Sequence, residues 1–516
     1  MLTQIAIPMI LLAAGLAIAH LVFRPPPLKG RTTTQAVHAS SSTTLGRLAA
    51  AARIRQKGQS GAMLLLHGPD ALAARIALTQ AAETALDIQY YIWQRDATGL
   101  VLLDELRKAA GRGVRIRLLL DDNGIRGLDS ALAALDALPN FEVRLFNPFV
   151  LRALKPLGYA FDFVRLNRRM HNKSLSADGA VSIIGGRNIA DVYFGFGTGV
   201  QFLDTDVMVA GQVVAEIGAS FDRYWQSSSA HPIARIVDKP RPDTLDGLIF
   251  DAGEAAHSQQ GRLYAERLRE SDVVGQIKTG RMTFEWTEVT SVSDDPAKGL
   301  GKAKRDDLLF PRLMALSAKP SRSVDLVSAY FVPGKRFSKA LQQLARMGVR
   351  VRILTNSQAA TDVVLVHSAY VKYRRRLLRS GVKLYELKPE YSTQGEPRVR
   401  GLAGSSRASL HSKTLAVDEE RIFVGSFNFD PRSVRLNTEM GVLIDSPHMA
   451  KTLAGAFAGR FERLSYVPEL NGEGTTVWEE LGMDGTKIRH RTEPRTNARS
   501  RLLLWLLGSL PIEWLL

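Results

Sequence analysis

An internal duplication that runs across most of the chain constrains the fold more than any other feature. The segments GRGVRIRLLL at 111–120 and RMGVRVRILT at 346–355 superimpose, which matches Gly113 with Gly348 at an offset of 235 residues. Each segment reads as the end of a helix followed by a short apolar run, the pattern of a buried parallel strand. A repeat on this scale indicates two copies of a βαβ-containing domain. The predicted fold class is therefore α/β, with two domains in tandem.

A second pair of matching segments carries the polar residues. MHNKSLSADG and LHSKTLAVDE share the spacing His-x-Lys-xxxx-Asp. Side chains alternate along a strand, so a His and a Lys two positions apart lie on the same face. Each copy thus presents an imidazole and an ammonium group to one pocket. The register holds at an offset of 240 residues through five pairs: His171/His411, Lys173/Lys413, Asp178/Asp418, Gly185/Gly425 and Asn188/Asn428.

These residue types suit transfer at a phosphodiester. Attack on phosphorus requires a nucleophile that is neutral near pH 7 and a second group that protonates the departing alkoxide, and histidine serves both roles. Charge that grows on the phosphoryl oxygens is stabilised by fixed cations and amide donors. Two lysines and two asparagines would supply them, so no metal or other cofactor is expected.

A histidine in this role needs an acid that orients its other ring nitrogen. The segments DTDVMV at 204–209 and NTEMGV at 437–442 align on Thr205 and Thr438. This alignment predicts Asp206 and Glu439 as the orienting acids, with Asp204 a weaker candidate. Surface salt bridges are the alternative interpretation of these carboxylates.

The composition indicates an anionic partner. The formal net charge is +17 and the pI is about 10.0. Nucleic acid and an acidic phospholipid surface both fit this excess, and charge alone does not separate them. The chain contains no cysteine, which excludes disulfides, zinc–thiolate sites and a catalytic thiol.

The N-terminus suggests a membrane. Residues 5–23 form an uncharged apolar run close to the length of a bilayer span, although a cleaved signal peptide is the alternative. Basic residues follow the run, so the positive-inside rule favours an anchor with the bulk of the chain in the cytoplasm. Composition and repeats predict six segments: an anchor (1–23), a linker (24–58), a first domain (59–240), a connector (241–300), a second domain (301–466) and a tail (467–516). The tail is predicted to be either a core helix or interfacial.

The paired motifs with their GGRN and GSFN endings resemble the phospholipase D superfamily. LDIQYYIWQRDATG, RLLLDDN, DTDVMVAG and FDRYW are more narrowly similar to the bacterial cardiolipin synthases of the C type. The resemblance covers roughly residues 60–516. It implies two phospholipase D-like α-β-α sandwich domains with one active site at their pseudo-twofold interface, complete within a monomer.

The resemblance also implies residue roles. His171 would form a covalent phosphatidyl-histidine, and His411 would protonate the leaving alcohol and deprotonate the incoming one. Phosphate would be bound by Lys173, Lys413, Asn188 and Asn428. The motif aspartates, Asp178 and Asp418, would sit in structural ion pairs. The expected reaction makes cardiolipin from phosphatidylglycerol, with phosphatidylglycerol or phosphatidylethanolamine as donor.

Three other functions stay open at this point. The same residues would serve a hydrolytic phospholipase D, a nuclease of the superfamily, or an inactive lipid-binding protein. Two further segments have open interpretations. His367 lies on a predicted basic helix and is either structural or in contact with lipid or phosphate. The DDPAK segment at 294–298 is expected to lie near the site, with no chemical role assigned to it.

Overall fold

Two mixed β-sheets form the framework of the computed structural model. It describes residues 2–47, 49, 58–196, 201–279, 282–389, 408–482 and 484–516. The strands are β1 Ser60–Leu65, β2 Ala85–Ile92, β3 Arg115–Gly124, β4 Phe141–Phe146, β5 Ser174–Ala177, β6 Val181–Gly185, β7 Gln201–Leu203, β8 Asp206–Gly211, β9 Ala230–Pro232, β10 Glu285–Thr287, β11 Val289–Ser293, β12 Ser323–Ser328, β13 Arg350–Asn356, β14 Lys383–Leu387, β15 Ala408–Leu410, β16 Lys413–Val417, β17 Arg421–Gly425, β18 Met440–Ile444, β19 Ser465–Leu470, β20 Thr476–Leu481 and β21 Lys487–His490.

Helices cover both sheets. The α-helices are α1 Leu2–Val22, α2 Gly68–Ala81, α3 Ala97–Gly111, α4 Asp129–Asp136, α5 Gly158–Leu166, α6 Asp191–Phe194, α7 Gln212–Trp225, α8 Thr244–His257, α9 Gln259–Glu270, α10 Asp272–Thr279, α11 Leu309–Leu316, α12 Gly334–Arg346, α13 Val364–Arg379, α14 Pro431–Arg435, α15 Pro447–Ala458, α16 Arg460–Leu464 and α17 Ala498–Ser509. Short 3₁₀ turns lie at Lys155–Leu157, Ile233–Arg235, Pro296–Leu300, Arg305–Asp307 and Glu513–Leu515.

Eight consecutive strands of each sheet repeat one arrangement, from β1 to β9 in the first and from β11 to β19 in the second. The first sheet runs β10-β1-β8-β6-β5-β2-β3-β4-β9, and the second runs β11-β18-β17-β16-β12-β13-β14-β19-β20-β21. In both, a parallel trio (β2-β3-β4 or β12-β13-β14) borders antiparallel strands that carry the repeated motif. The long crossovers α3 and α12 connect the first two strands of each trio, as parallel pairing requires. The prediction of two tandem α/β domains is confirmed.

The two halves share an apolar core. Residues of β6 and β8 pack with residues of β17 and β18 between helices α7 and α15. Val207 and Val442 are typical members, and both are completely buried. Since these strands run directly from the repeated motifs, their packing brings the two motif ends together.

The segment between the repeats belongs to both halves. Strand β10 pairs with β1 in the first sheet, whereas β11 pairs with β18 in the second. Helices α8 to α10 pack on the first core through Leu248, Ala252, Tyr264 and Ile277. The chain therefore passes from one sheet to the other at Glu288. The segment predicted as a tail contributes β20 and β21 to the second sheet.

The two terminal helices expose apolar side chains. In α1, Met9 and Ile10 are 65% and 66% exposed, and in α17 Trp505 is 68% exposed. None of the helices that the structure describes is long and apolar enough to cross a membrane. The membrane span predicted for 1–23 is therefore not supported.

Candidate active site

The motif aspartates hold the hairpins that carry the motifs. Asp178 and Asp418 sit at the β5–β6 and β16–β17 turns with φ of 53° and 55°. Asp178 accepts hydrogen bonds from the backbone N–H groups of Glu83, Thr84 and Ala85, which lead into β2. The structural ion pairs implied for these residues are thus replaced by backbone hydrogen bonds, which fix each hairpin to the start of the central strand.

Asp418 makes the matching contacts in the second half. Its carboxylate accepts hydrogen bonds from the backbone N–H groups of Ser321, Arg322 and Ser323, ahead of β12. Burial raises the pKa of Asp418, but these hydrogen bonds outweigh it and the pKa lies below its usual value. Neither aspartate faces the reacting groups, so both support the site from behind.

Each motif histidine is paired with a carboxylate from the other half of the chain. His171 Nδ1 lies 2.9 Å from Glu439 Oε2, and His411 Nδ1 lies 2.6 Å from Asp204 Oδ2. All four side chains are nearly or completely buried. The carboxylates hold the Nδ1 atoms, which turns Nε2 of each ring toward the space between the halves.

Backbone hydrogen bonds cross the same interface beside these pairs. His171 donates its N–H to Thr438 O at 2.8 Å, one residue before Glu439. His411 donates its N–H to Leu203 O at 2.8 Å, one residue before Asp204, where β7 and β15 pair in parallel. Each histidine is therefore fixed by its backbone and its ring to one short segment of the opposite half.

The prediction that Asp206 orients a histidine is corrected by this register. Leu203 and Thr438 occupy equivalent places, which makes Asp204 the counterpart of Glu439 at an offset of 235 residues. Asp206 instead bonds Arg75 at 2.8 Å and lies 3.4 Å from Arg187. The sequence alignment on Thr205 and Thr438 was therefore wrong by two residues, which is why it selected Asp206 instead of Asp204.

The two lysines are buried beside the histidines. Lys173 Nζ donates to His171 O at 2.7 Å, and Lys413 Nζ contacts His411 O and lies 2.9 Å from His411 Nδ1. Burial lowers the pKa of Lys173 to about 7 and also lowers the pKa of Lys413. Such cations gain strongly from an anion that enters the pocket.

Both imidazoles are held in the neutral form. Burial, together with the ammonium groups of Lys173 and Lys413, holds the pKa of His171 and of His411 well below the usual value. Burial raises the pKa of Glu439 to about 7, while Lys173 opposes the rise. A neutral imidazole beside two buried cations is a nucleophile placed where a phosphate would bind.

The two asparagines differ in their contacts. Asn188 accepts from Ile92 N at 3.1 Å and donates to Tyr193 Oη at 2.8 Å. Asn428 Oδ1 is buried and has no hydrogen-bond partner among the described residues. Phosphate binding by either side chain stays a prediction.

Several residues at the site were not predicted from sequence. Gly186 lies so close to Asp204 that a Cβ there would stand 2.0 Å from Asp204 Oδ1. Ser426 occupies the equivalent position and donates to Glu439 Oε2 at 2.5 Å. The sequence signal for this difference was Gly-Gly in the first motif ending and Gly-Ser in the second, because only the second half-site has room for a hydroxyl group beside its acid.

Aromatic rings line the pocket next to the histidines. Tyr91 packs edge-on against His171 with ring centroids 4.9 Å apart, and Tyr193 does the same against His411 at 5.0 Å. Tyr91 therefore borders the histidines, whereas its neighbour Tyr90 is fully buried in the core of the first half.

The remaining sequence candidates lie outside the pocket. His367 is buried and bonds Glu493 at 2.6 Å, a structural contact between α13 and the segment before α17. Among the described residues, no group of three or more His, Asp or Glu side chains is arranged to hold a metal ion. Metal-independent chemistry stays a prediction.

Comparison with known proteins gives consistent matches. A family model described as "Cardiolipin synthase, PLD-like domain" matches residues 75–225 and 313–464. Cardiolipin synthase C of Escherichia coli (strain K12) is 44% identical over 459 residues, covering 89% of this chain and 97% of that protein. An uncharacterized protein of Helicobacter pylori (strain ATCC 700392 / 26695) is 31% identical over 469 residues, covering 90% and 91%.

A solved structure shares the fold. The crystal structure of phosphatidylserine synthase from Haemophilus influenzae Rd KW20 superimposes with a TM-score of 0.56, covering 91% of this chain and 100% of that one. The identity is 15%, so this likeness concerns the fold alone.

Proposed function

Because the chain belongs to the phospholipase D-like family of cardiolipin synthases, we propose that it transfers a phosphatidyl group from one phospholipid to a hydroxyl of phosphatidylglycerol. The donor is phosphatidylglycerol or phosphatidylethanolamine, and the product is cardiolipin. The transfer proceeds through a covalent phosphatidyl-histidine.

One observation carries this proposal above all others. The crossed pairs His171–Glu439 and His411–Asp204 are built by a single chain from both of its halves. Two oriented neutral histidines with two buried lysines form the set that a double displacement at phosphorus requires. A monomer is sufficient for the complete site.

In the first step, His171 Nε2 attacks the donor phosphorus and the bond to the headgroup oxygen breaks. His411 gives a proton to that oxygen, so glycerol or ethanolamine leaves as the neutral alcohol. The negative charge of the bound phosphate offsets Lys173 and Lys413, which raises the pKa of His411 toward the range in which it can carry this proton. The lysines then stabilise charge on the phosphoryl oxygens.

In the second step, the acceptor hydroxyl attacks the phosphorus and the P–N bond to His171 breaks. His411, now neutral, accepts the hydroxyl proton, which returns both histidines to their starting state. We assign the nucleophile to His171, as the family resemblance implies, and note the contacts of its partner carboxylate. Glu439 accepts from Ser426 at 2.5 Å, and its backbone N–H is fixed by Asp294.

We also propose that the protein meets its lipids at the surface of an anionic membrane. Helix α5 and the C-terminal segment join at Arg432, which donates to Asn167 O and to Leu515 O. The apolar side chains exposed on these two elements include Phe163, Val164, Leu502, Leu503, Trp505, Leu506 and Trp514. Arg499 and Arg501 precede the apolar run, an arrangement typical of interfacial helices. We propose the cytoplasmic face of the bacterial inner membrane as this surface, because its anionic lipids would attract the basic residues after position 23.

A lipid assay tests the proposed reaction. Purified protein is incubated with phosphatidylglycerol vesicles, alone and with phosphatidylethanolamine, in the presence of a chelator, and the products are resolved by mass spectrometry. Cardiolipin is expected in at least one mixture, and the His171→Ala protein serves as the inactive control. Phosphatidic acid as the only product would refute the synthase function and indicate a hydrolase. Cleavage of DNA without lipid turnover would point to a nuclease and refute both lipid functions.

Vesicle flotation tests the membrane surface. Trp505→Ser should weaken binding to vesicles that contain phosphatidylglycerol. Phe250→Ser is the matched control, since Phe250 on α8 is also 68% exposed but lies away from the proposed surface. Equal binding by both variants would contradict the assignment of this surface.

A further inference from the structure

The connector contributes a buried acid to one half-site only. Strand β11 ends at Ser293, opposite Met440, and Asp294 follows it directly. Asp294 donates its N–H to Glu439 O at 2.9 Å, and its Oδ2 accepts from Glu439 N at 2.9 Å. A single residue therefore fixes both backbone polar groups of the acid that orients His171.

Asp294 is itself held on every side. Its Oδ1 accepts from Leu309 N at 2.7 Å, and its carbonyl accepts from Tyr224 Oη at 2.9 Å. Its Oδ2 also accepts from Lys298 Nζ at 2.8 Å, and Lys298 donates as well to Ser433 O at 2.8 Å. Asp294 and Lys298 are 0% and 3% exposed. A buried ion pair of this kind costs desolvation and seldom adds stability.

The first half holds its orienting acid Asp204 by a different buried ion pair, since Arg187 donates to Asp204 O and lies 3.4 Å from Asp206. The strand in the corresponding place of the first sheet is β1, which is followed by Leu66 and His67. The Asp294–Lys298 pair, which lies in the DDPAK segment, thus belongs to the half-site of His171.

We infer that Asp294 and Lys298 are positioning residues for the proposed reaction, which hold Glu439 in place and in its ionised form so that His171 acts as the nucleophile. Neither residue touches the lipid. Asp294 fixes the backbone of Glu439, and the Lys298 ammonium group balances two buried carboxylates that would otherwise repel each other. The inference rests on the proposed function for its activity assay.

The charges around Glu439 determine how its pKa changes when the Lys298 ammonium group is removed. Burial raises the pKa of Glu439 to about 7 and that of Asp294 to about 6, and Lys298 opposes both shifts. The positive charge of Lys298 stabilises the ionised form of Glu439. Loss of that charge therefore raises the Glu439 pKa further. The titratable groups that face Glu439 are His171, Lys173, Lys298, Lys413, Asp294 and Asp430.

Lys298→Met is the variant that tests the inference, with a pH–rate profile as the readout. Activity needs ionised Glu439, so the acidic limb of the profile should move upward by on the order of one pH unit. The loss of activity should therefore be about tenfold at pH 6.5 and small at pH 8.5. Lys298→Arg should restore the original limb. Lys302→Met, an exposed change in the same segment with the same change in net charge, should leave the profile unmoved.

The possible outcomes separate the two levels of the proposal. Absence of transfer by the wild-type protein would refute the proposed function, whereas an active wild type with an unmoved limb in Lys298→Met refutes the positioning role. An equal loss at every pH also refutes it, since that is the result of a structural defect. If Lys298→Met does not fold, Lys298→Gln keeps hydrogen-bond donors at this position without the charge and must show the same upward shift.

Discussion

Asp204 and Asp206 lie two residues apart, yet changing each to asparagine should impair the protein in a different way. Asp204 bonds His411 across the interface, whereas Asp206 bonds Arg75 and Arg187 within its own half. Asp204→Asn should therefore abolish turnover in a folded protein. Asp206→Asn should unfold the protein more easily.

The structure sets both magnitudes. Asp206 is 0% exposed and its arginine partners are each 1% exposed, so removal of its charge leaves buried cations unpaired. Breaking a buried pair in this way costs about 3–5 kcal/mol, out of a typical total of about 5–15 kcal/mol. Asp204→Asn keeps the shape of the side chain but removes the charge that fixes the His411 tautomer, which in a comparable histidine–aspartate pair lowers kcat about 10⁴-fold.

Urea unfolding and cardiolipin formation measure the two effects on the same preparations. Asp243→Asn, an exposed change of the same type, is the control and should alter neither quantity. A destabilised Asp204→Asn with normal turnover of its folded fraction, next to a stable but inactive Asp206→Asn, would refute the assignment of the two residues.

Three other predictions concern the framework of the site. Asp178→Ala should cost about 2–3 kcal/mol in urea unfolding, because three backbone N–H groups lose the carboxylate that accepts from them, and Asp178→Asn should cost less. Equal stability of Asp178→Ala and wild type would contradict the hairpin-anchoring role. Sulfate binding, measured by calorimetry, should weaken about tenfold from pH 6 to pH 8 because the Lys173 ammonium group, with its pKa of about 7, loses its proton as the pH rises. The Lys173→Gln protein should show a flatter pH dependence, and an unchanged slope would rule out Lys173 as the titrating cation. Gly186→Ala should lower kcat with little change in the affinity for sulfate, since its Cβ would displace the Asp204 carboxylate; full activity would show that Asp204 tolerates the shift.

The repeat made the framework predictable. Matching apolar runs around Gly113 and Gly348 identified the equivalent parallel strands, which are β3 and β13 in the structure. The spacing of His and Lys on one strand face likewise predicted that the motifs would present these groups together, because both follow from the period of a strand.

Contacts between distant segments were harder to predict. The pairing of Asp204 with His411 depends on where β8 begins relative to β18, and local sequence similarity at Thr205 and Thr438 favoured a register displaced by two residues. The role of Asp294 depends on β11 entering the second sheet, which a polar stretch between two repeats does not reveal. Such features are set by tertiary packing.

Mapping of the trapped covalent intermediate tests the central claim most directly. The protein is mixed with phosphatidylglycerol, quenched within a turnover, digested at neutral to alkaline pH, and the modified peptide is identified by mass spectrometry. A phosphatidyl group on His171 that is lost in His171→Ala is the predicted result. An adduct on His411, or turnover to cardiolipin with no histidine adduct at any quench time, would contradict the account.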